Sequence, residues 1–220
     1  MAEAAHPAPP CRLFVIMAQK ARVAVVLKRG PSRWAQVIAW DTHRDTFTEG
    51  AWLKGRIYED RCDLSPDGEL LLYFCHGGRS RPAYTDSWTG VSRLPWLHAL
   101  ALWPWGTTYG GGGRFTGNRE LVLRTGMPLR PHPEHPGAGL TVRAGNADLQ
   151  RSTEEPGTSW SGLDHDGRDV YCREGKVFRR ARRVGGEDVE LIDLNGRVPA
   201  PQAAPAWARK PLAGGGRGRP

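Results

Sequence analysis

The stretch Leu64-Ser-Pro-Asp-Gly-Glu-Leu-Leu-Leu-Tyr73 decides the fold of this 220-residue chain. Proline presets φ, aspartate bonds to its own backbone and glycine accepts a positive φ, so Pro66–Gly68 predict a tight turn. The apolar run that follows is too short for an ordinary helix and is bounded by glycines, which is typical of a strand buried on both faces. The stretch therefore predicts a turn followed by a core strand.

Weaker copies of this stretch recur along the chain at a nearly constant interval. They begin at Met17 (Met-Ala-Gln-Lys-Ala-Arg-Val-Ala-Val), at Phe115 (Phe-Thr-Gly-Asn-Arg-Glu-Leu-Val-Leu) and at Leu163 (Leu-Asp-His-Asp-Gly-Arg-Asp-Val-Tyr). The steps between starting positions are 47 residues (17 to 64), 51 residues (64 to 115) and 48 residues (115 to 163). Repeats of this length, each with several short strands, are typical of β-propeller blades.

The sequence Leu64-Ser-Pro-Asp-Gly before an apolar strand also resembles the entry to the innermost strand of WD-repeat-like β-propeller blades. The resemblance covers residues 12–208, and the chain departs from that family by lacking regular Gly-His and Trp-Asp pairs. It implies an all-β fold, either a small β-propeller or a propeller-like fan of about four blade repeats. An irregular β-sandwich with coincidental turns is the alternative fold.

The pattern predicts strands in every repeat, together with one blade closure. Arg12–Met17 is the candidate for completing the blade at the other end of the chain. The segment His98–Trp103 is compatible with a strand or with part of a short helix. The other predicted strands are Arg22–Lys28, Trp34–Asp41, Thr46–Leu53, Glu69–Cys75, Ala83–Trp88, Glu120–Thr125, Leu140–Arg143, Val170–Arg173, Lys176–Arg180 and Val189–Leu194.

The domain organisation follows from these repeats and from the composition. Residues 12–208 predict one propeller-like domain, residues 1–11 a disordered lead-in and residues 209–220 a disordered basic Gly/Arg tail. High Ala, Gly, Pro and Arg usage indicates a GC-rich, bacterial genome. The chain shows no signal-peptide pattern and no apolar stretch long enough to span a membrane, so we expect a cytoplasmic protein without a membrane partner.

The net charge of +8 is local rather than general. Residues 168–183 hold seven cations and two acids, and residues 203–220 hold four cations and no acid, so the rest of the chain is near −1. This pattern raises a phosphate-binding hypothesis for one run of arginines at a strand end. Its residues are Arg179, Arg180, Arg182 and Arg183, which would act with the tail. A solvated strand edge guarded by arginine is the alternative interpretation.

The candidates for catalysis are acids at matching repeat positions. By analogy with propeller enzymes, Asp67, Asn118 and Asp166 would lie near one mouth of the central channel, with Asp67 and Asp166 as hydrolytic acids. Asp and Asn are also common turn formers, and the residue types favour that role.

The sequence predicts neither a metal site nor a cofactor. The four cysteines have no CxxC spacing. His132 and His135 lie on a proline-broken segment and predict an exposed polar loop, with metal binding as the alternative. Asp164-His-Asp-Gly167 predicts a turn rather than a calcium loop. The glycines 110–113 lead into a strand rather than a helix, and predict a flexible connection rather than a phosphate loop.

The function that this reading favours is a non-catalytic protein-interaction module. Another protein is the expected partner, with loops 77–87 and 128–139 and exposed tryptophans as the contact surface. A nucleic-acid-associated protein that uses the arginine run is the first alternative. A hydrolase that uses Asp67 and Asp166 is the second.

Overall fold

The computed structural model describes residues 9–30, 32–81, 84–125, 130–150, 155–183 and 186–212, with 78–81 described for the backbone only. Within these residues the protein is all-β and is built from four sheets. Most of the predicted lead-in and tail, namely residues 1–8 and 213–220, lie outside the described residues.

The four sheets follow one another along the chain. The first contains β1 (Arg12–Met17), β2 (Val23–Arg29), β3 (Trp34–Asp41) and β4 (Thr46–Lys54). The second contains β5 (Arg56–Ile57), β6 (Asp63–Leu64), β7 (Leu70–Arg81), β8 (Thr85–Arg93) and β9 (Ala101–Pro104). The third contains β10 (Gly113–Phe115), β11 (Glu120–Arg124) and β12 (Thr141–Gly145). The fourth contains β13 (Trp160–Leu163), β14 (Asp169–Arg173), β15 (Lys176–Arg179) and β16 (Val189–Asp193).

Neighbouring strands pair mostly antiparallel and in chain order. The first and fourth sheets are simple meanders, β1-β2-β3-β4 and β13-β14-β15-β16. In the second sheet the order is β5-β7-β8-β9, and β6 also pairs with β7. The third sheet contains one parallel pair, β11 with β12. A 3₁₀ turn (Glu59–Arg61) and the short helix α1 (Ala206–Arg209) complete the described elements.

The four repeat copies occupy equivalent places in the four sheets. Met17, Leu64, Phe115 and Leu163 are the last residues of β1, β6, β10 and β13. Each lies opposite a residue of the next hairpin strand, six or seven positions further along the chain. The partners are Ala24, Leu71, Leu121 and Asp169. The recurring motif is thus the turn that joins β1, β6, β10 or β13 to the strand that pairs with it next in the chain.

Three of the strand predictions need correction. Arg12–Met17 does not complete a blade at the other end of the chain, because it pairs along its whole length with β2 of its own sheet. In the segment His98–Trp103 only the part from Ala101 onward is a strand, and no residue of it is helical. The predicted strand Ala83–Trp88 begins at Thr85 and extends to Arg93, because β8 pairs along most of β7.

Three apolar clusters hold the sheets together. One lies between the first and second sheets and includes Val25, Val37 and Tyr73. Another lies between the first and fourth sheets and includes Trp40 and Trp160. The remaining cluster, between the second and third sheets, is built from residues such as Leu72, Trp103 and Leu121. The sheets therefore stack in the order fourth, first, second, third, and the first and second are covered on both faces.

The glycine run 110–113 is packed rather than loose. Gly111 has a φ of +77° and donates its N–H to the Arg124 carbonyl. A Cβ at Gly111 would come within 2.3 Å of the Phe74 ring. The prediction of a flexible connection is therefore wrong, because the glycines are required for a close approach between the second and third sheets.

Candidate functional site

The four turns that carry the repeat motif, together with the turn between β3 and β4, form one group, which we call the turn cluster. It consists of residues 18–22, 42–45, 65–69, 116–119 and 164–168. The Lys20 N–H donates to the Pro66 carbonyl at 2.8 Å and joins the first sheet to the second.

Ion pairs connect further turns of this cluster. Arg22 contacts Asp166 at 2.8 Å, which joins the first sheet to the fourth. Arg119 contacts Glu69 at 2.9 Å, which joins the third sheet to the second. The bonds follow the same order as the apolar clusters, so the polar end of the fold reinforces the stacking of its core.

The two acids that the sequence suggested for hydrolysis lie in the turn cluster and have structural partners. Asp67 accepts hydrogen bonds from the Ser65 hydroxyl at 2.6 Å and from the Glu69 N–H at 3.1 Å. Asp166 forms the ion pair with Arg22. The Asp67 contacts fit the turn-forming interpretation, whereas the Asp166 side chain joins two sheets, and a catalytic role of either acid stays an untested prediction.

Arg168 is the centre of a buried ion network in the same cluster. Its guanidinium donates to the Asp45 carboxylate at 2.9 and 3.0 Å and to the carboxylate of Asp164, whose side chain is fully buried. It also donates to the Thr42 carbonyl. Arg179, one of the phosphate-binding candidates, contacts the same Asp45 carboxylate at 2.8 Å. Two arginines of the fourth sheet thus share one acid of the first.

The other phosphate-binding candidates are not held together as one free cationic patch. Arg180 pairs with Glu155 and with Asp169, and its guanidinium lies 4.6 Å from the Tyr171 ring centre. Arg182 and Arg183 are exposed. Half of the predicted patch is therefore engaged in ion pairs inside the fold, and phosphate binding by the other half remains a prediction.

Asp63 is a buried acid that the motif search missed. Its carboxylate accepts the Phe115 N–H at 2.7 Å and a Gln150 side-chain N–H at 2.8 Å, which ties β6 to the third sheet and to the segment after it. Burial raises the pKa of Asp63, an effect opposed in part by the Phe115 hydrogen bond and by Arg114. Its position next to Leu64, at the repeat boundary, is the signal that could have identified it.

A cleft of about 780 Å³ opens between the outer strands of the first and second sheets, and we call it the intersheet cleft. Leu53 and Lys54 of β4 line one side, and Trp88 and Leu102 of β8 and β9 line the other. The full lining consists of Arg33, Leu53, Lys54, Gly55, Tyr73, Gly77, Tyr84, Thr85, Trp88, Leu97, His98, Ala99, Leu102 and His135.

The charged groups of the intersheet cleft are all basic. Arg33 and Lys54 are exposed and form no ion pair with any described carboxylate. Lys54 stands 6.0 Å from the ring centre of Trp34. No Asp or Glu is among the lining residues. The cleft thus combines aromatic and aliphatic walls with cations that have not been neutralised.

The two segments predicted as a contact surface meet at this cleft. Residues 77, 84 and 85 of the first segment and 135 of the second line it. The Tyr84 hydroxyl donates to Glu134 at 2.8 Å. Much of segment 77–87 is strand rather than loop, because β7 extends to Arg81 and β8 starts at Thr85. Residues 82–83 and 128–129 lie outside the described part of the chain.

Three side chains beside the cleft come close enough to share a metal ion. His132, Glu134 and His135 each offer one ligand atom, and all these atoms lie within 4.8 Å of one another. His132 is only 7% exposed, and its ring stacks on Tyr84 with centroids 4.4 Å apart. The prediction of an exposed polar loop is therefore wrong for His132.

His132 is buried because its segment pairs with β9 through backbone hydrogen bonds, which the prolines in the sequence did not suggest. The His132 N–H donates to the Leu102 carbonyl at 2.8 Å, and the Leu102 N–H donates to the His135 carbonyl at 3.1 Å. An isolated bridge joins Ala101 to Pro136. The segment therefore lies along the edge strand β9, and this contact across the chain has no local signature in the sequence.

The predicted tryptophan surface is smaller than expected. All nine tryptophans are described, and only Trp207 of α1 is exposed, at 55%. Trp40, Trp103 and Trp160 are buried in the apolar clusters. Trp88, which is half-buried, is the tryptophan that lines the intersheet cleft.

A second cavity, of about 640 Å³, contains a buried lysine. Lys28 is 4% exposed, and its ammonium lies 4.9 Å from the Trp52 ring centre. Burial lowers the pKa of Lys28. Lys176 and Arg197 also line the cavity, but both are paired with acids, Lys176 with Glu190 at 2.9 Å. The sequence did not indicate a role for Lys28, because alternation of apolar and polar residues along a strand does not show which lysine is buried.

The four cysteines are free and buried thiols. Burial raises the pKa of Cys11, Cys62, Cys75 and Cys172. Since the thiolate is the reactive form, these residues are placed as small core groups rather than as nucleophiles.

No helix in the described residues is long and apolar enough to cross a membrane. Comparison of the chain with protein-family models, with curated proteins and with solved structures found no significant match.

Proposed function

We propose that this protein is a non-catalytic interaction module that binds an acidic segment of a partner protein in the intersheet cleft. The observation that carries the proposal is the lining of the cleft. Its aromatic and aliphatic walls are accompanied by the exposed cations Arg33 and Lys54 and by no carboxylate. Electrostatic complementarity of this kind selects partners and speeds their encounter.

The chemistry of the cleft defines the partner segment. Carboxylates of the partner would meet Arg33 and Lys54 at the outer edge of the cleft. An aromatic or branched aliphatic side chain would pack against Trp88 and Leu97, because a buried anchor of that type supplies most of the affinity in small interfaces. We therefore propose a short segment that combines Asp or Glu with one large apolar residue.

We further propose that the four sheets form a propeller-like fan. Two observations support this arrangement. The motif turns are equivalent in all four sheets, and the sheets stack face to face in the order fourth, first, second, third. Within the described residues no apolar cluster joins the third sheet to the fourth. Free thiols at all four cysteines fit the cytoplasm as the proposed compartment.

The other two functions have less support from the geometry. Nucleic-acid binding would fall to Arg182, Arg183 and the tail, since Arg179 and Arg180 are paired with acids. For hydrolysis, the side chains of Asp67 and Asp166 are already engaged, Asp67 with Ser65 in its turn and Asp166 with Arg22.

Selection of a displayed random peptide library on the full-length chain tests the proposal. We expect enrichment of acidic peptides that contain an aromatic or large aliphatic residue. The double variant Arg33→Glu with Lys54→Glu should abolish this enrichment, because it reverses the charge of the cleft. The matched control, Arg12→Glu with Lys20→Glu, changes two exposed cations outside the cleft lining and should leave it intact. Enrichment of basic peptides, or equal loss in both variants, would contradict the proposal.

A further inference from the structure

We propose that His132, Glu134 and His135 form a binding site for a divalent transition metal, with Zn²⁺ as the ion that suits them. Two imidazole nitrogens and one carboxylate oxygen form a donor set that zinc accepts readily, with one coordination position left open. The proposal is independent of the acidic segment assigned to the cleft.

The spacing of the three groups is close to what zinc requires. Their ligand atoms lie within 4.8 Å of one another. In a tetrahedral zinc site with bonds of about 2.0–2.1 Å, ligand atoms stand about 3.4 Å apart. The separations between ligand atoms would therefore have to shorten by at most about 1.4 Å to close the site. Glu134 is the exposed member of the three.

The backbone that carries these ligands is fixed to a sheet. Hydrogen bonds in both directions connect His132 and His135 to Leu102 of β9, and the N–H of His135 donates to the carbonyl of His132 at 2.9 Å. A site on a paired segment holds its ligands in a narrower range of positions than a free loop does. The hydrogen bond from His135 to His132 closes a turn that brings the ligands of His-Pro-Glu-His together without a helix.

Tyr84 supplies the outer support that metal ligands usually have. Its hydroxyl donates to one oxygen of Glu134 at 2.8 Å, and its ring covers the His132 imidazole. Contacts of this kind orient a ligating carboxylate and leave its other oxygen available. The Glu134 N–H also donates to Nδ1 of His132 at 3.2 Å, so a metal at that nitrogen would replace one long hydrogen bond.

His98 stands next to the proposed site. Its ring centre lies 6.3 Å from that of His135, and both residues line the intersheet cleft. The open coordination position can therefore be filled either by His98 or by an oxygen from a molecule in the cleft.

Calorimetric titration of the untagged, chelator-treated full-length chain with Zn²⁺ alone tests this inference. We expect one equivalent to bind. Glu134→Gln and His135→Gln should each weaken binding by about 10-fold to 100-fold, and Tyr84→Phe by about 10-fold. His43→Gln removes an exposed histidine of the turn cluster and should bind as the wild type does. Both ligand variants change residues outside the core, so they should remain folded.

Substitution of Co²⁺ gives a second measurement. A site with nitrogen and oxygen ligands in tetrahedral geometry should give visible d–d absorption, which Glu134→Gln and His135→Gln should reduce and His43→Gln should not. The proposal is overturned if no stoichiometric Zn²⁺ binding is detected. It is equally overturned if the two ligand variants bind Zn²⁺ as tightly as the His43→Gln control.

Discussion

The turn cluster and the intersheet cleft contain similar charged residues in opposite situations. In the turn cluster, Arg168 contacts Asp164 of its own sheet and Asp45 of the first sheet. In the cleft, Arg33 and Lys54 face no described carboxylate. The first arrangement uses charge to hold the fold together, and the second leaves charge available for another molecule. The number of partners that a charged group has, rather than its residue type, distinguishes these two regions.

The largest loss of stability is expected from a substitution of Arg168. Replacement by Met would leave Asp164 and Asp45 with fewer partners in a site where the arginine side chain is only 13% exposed. Breaking a buried ion pair costs about 3–5 kcal/mol of the free energy of unfolding. Urea unfolding of Arg168→Met should show such a loss. Arg22→Met breaks the pair with Asp166, in which the arginine side chain is 51% exposed, and should cost at most about 1 kcal/mol. Similar losses in both variants would remove the distinction.

Asp63 should show the next largest effect. In Asp63→Ala the Phe115 N–H and the Gln150 side chain lose their acceptor, which costs about 2–3 kcal/mol. Asp63→Asn keeps one of the two acceptor oxygens and removes the titratable group, so it also changes the pH dependence. Because the folded pKa of Asp63 is raised, the folded state holds its proton more tightly than the unfolded state. This contribution to stability is present below the ordinary pKa of about 3.9 and is lost as pH rises through the folded value.

The raised pKa of Asp63 is tested by measuring the free energy of unfolding of the wild type and of Asp63→Asn from pH 3 to pH 7 (about the range in which carboxyl groups titrate). We expect the wild type to lose stability relative to the Asn variant as pH rises. A constant difference between the two proteins across that range would rule out a raised pKa.

Lys28 should show a smaller effect of opposite sign. A buried ammonium opposes folding, so Lys28→Met should raise the free energy of unfolding at neutral pH by about 1 kcal/mol. The folded pKa of Lys28 is lowered, so the wild type should gain stability as pH rises from that folded value toward the unfolded one, and the variant should not. Denaturant unfolding at pH 7 and pH 10 measures both effects (each pH set relative to the ordinary lysine pKa of about 10.4). Lower stability of the variant at both would contradict the assignment.

The smallest effect is predicted for the cleft cations. Arg33→Met and Lys54→Met remove charges that have no described ion-pair partner, so each should change the free energy of unfolding by less than about 0.5 kcal/mol. Thermal unfolding of both variants beside the wild type provides the measurement. A larger loss would show that these cations stabilise the fold, as the ion pairs of the turn cluster do.

Local chemistry made the repeating unit predictable. The turn at Pro66–Gly68 and the apolar strand after it depend on neighbouring residues, and the four copies end four equivalent strands. Features that depend on contacts across the chain were out of reach. Arg12–Met17 pairs with β2 in a hairpin. His132 comes close to His135 because both residues form backbone hydrogen bonds with Leu102. Sequence periodicity shows neither which strands pair nor which distant segments lie side by side.

The two covered faces of the first sheet have a consequence for synthesis at the ribosome. The face that contains Leu13, Ile38 and Trp40 is complete by residue 41, but its covering strands start only at Trp160. At about 5–20 residues per second, the nascent chain therefore exposes this apolar face for on the order of 10 s. During that interval we expect the growing polypeptide to bind a holding chaperone. Fragments that stop before the fourth sheet should aggregate more readily than the full-length chain.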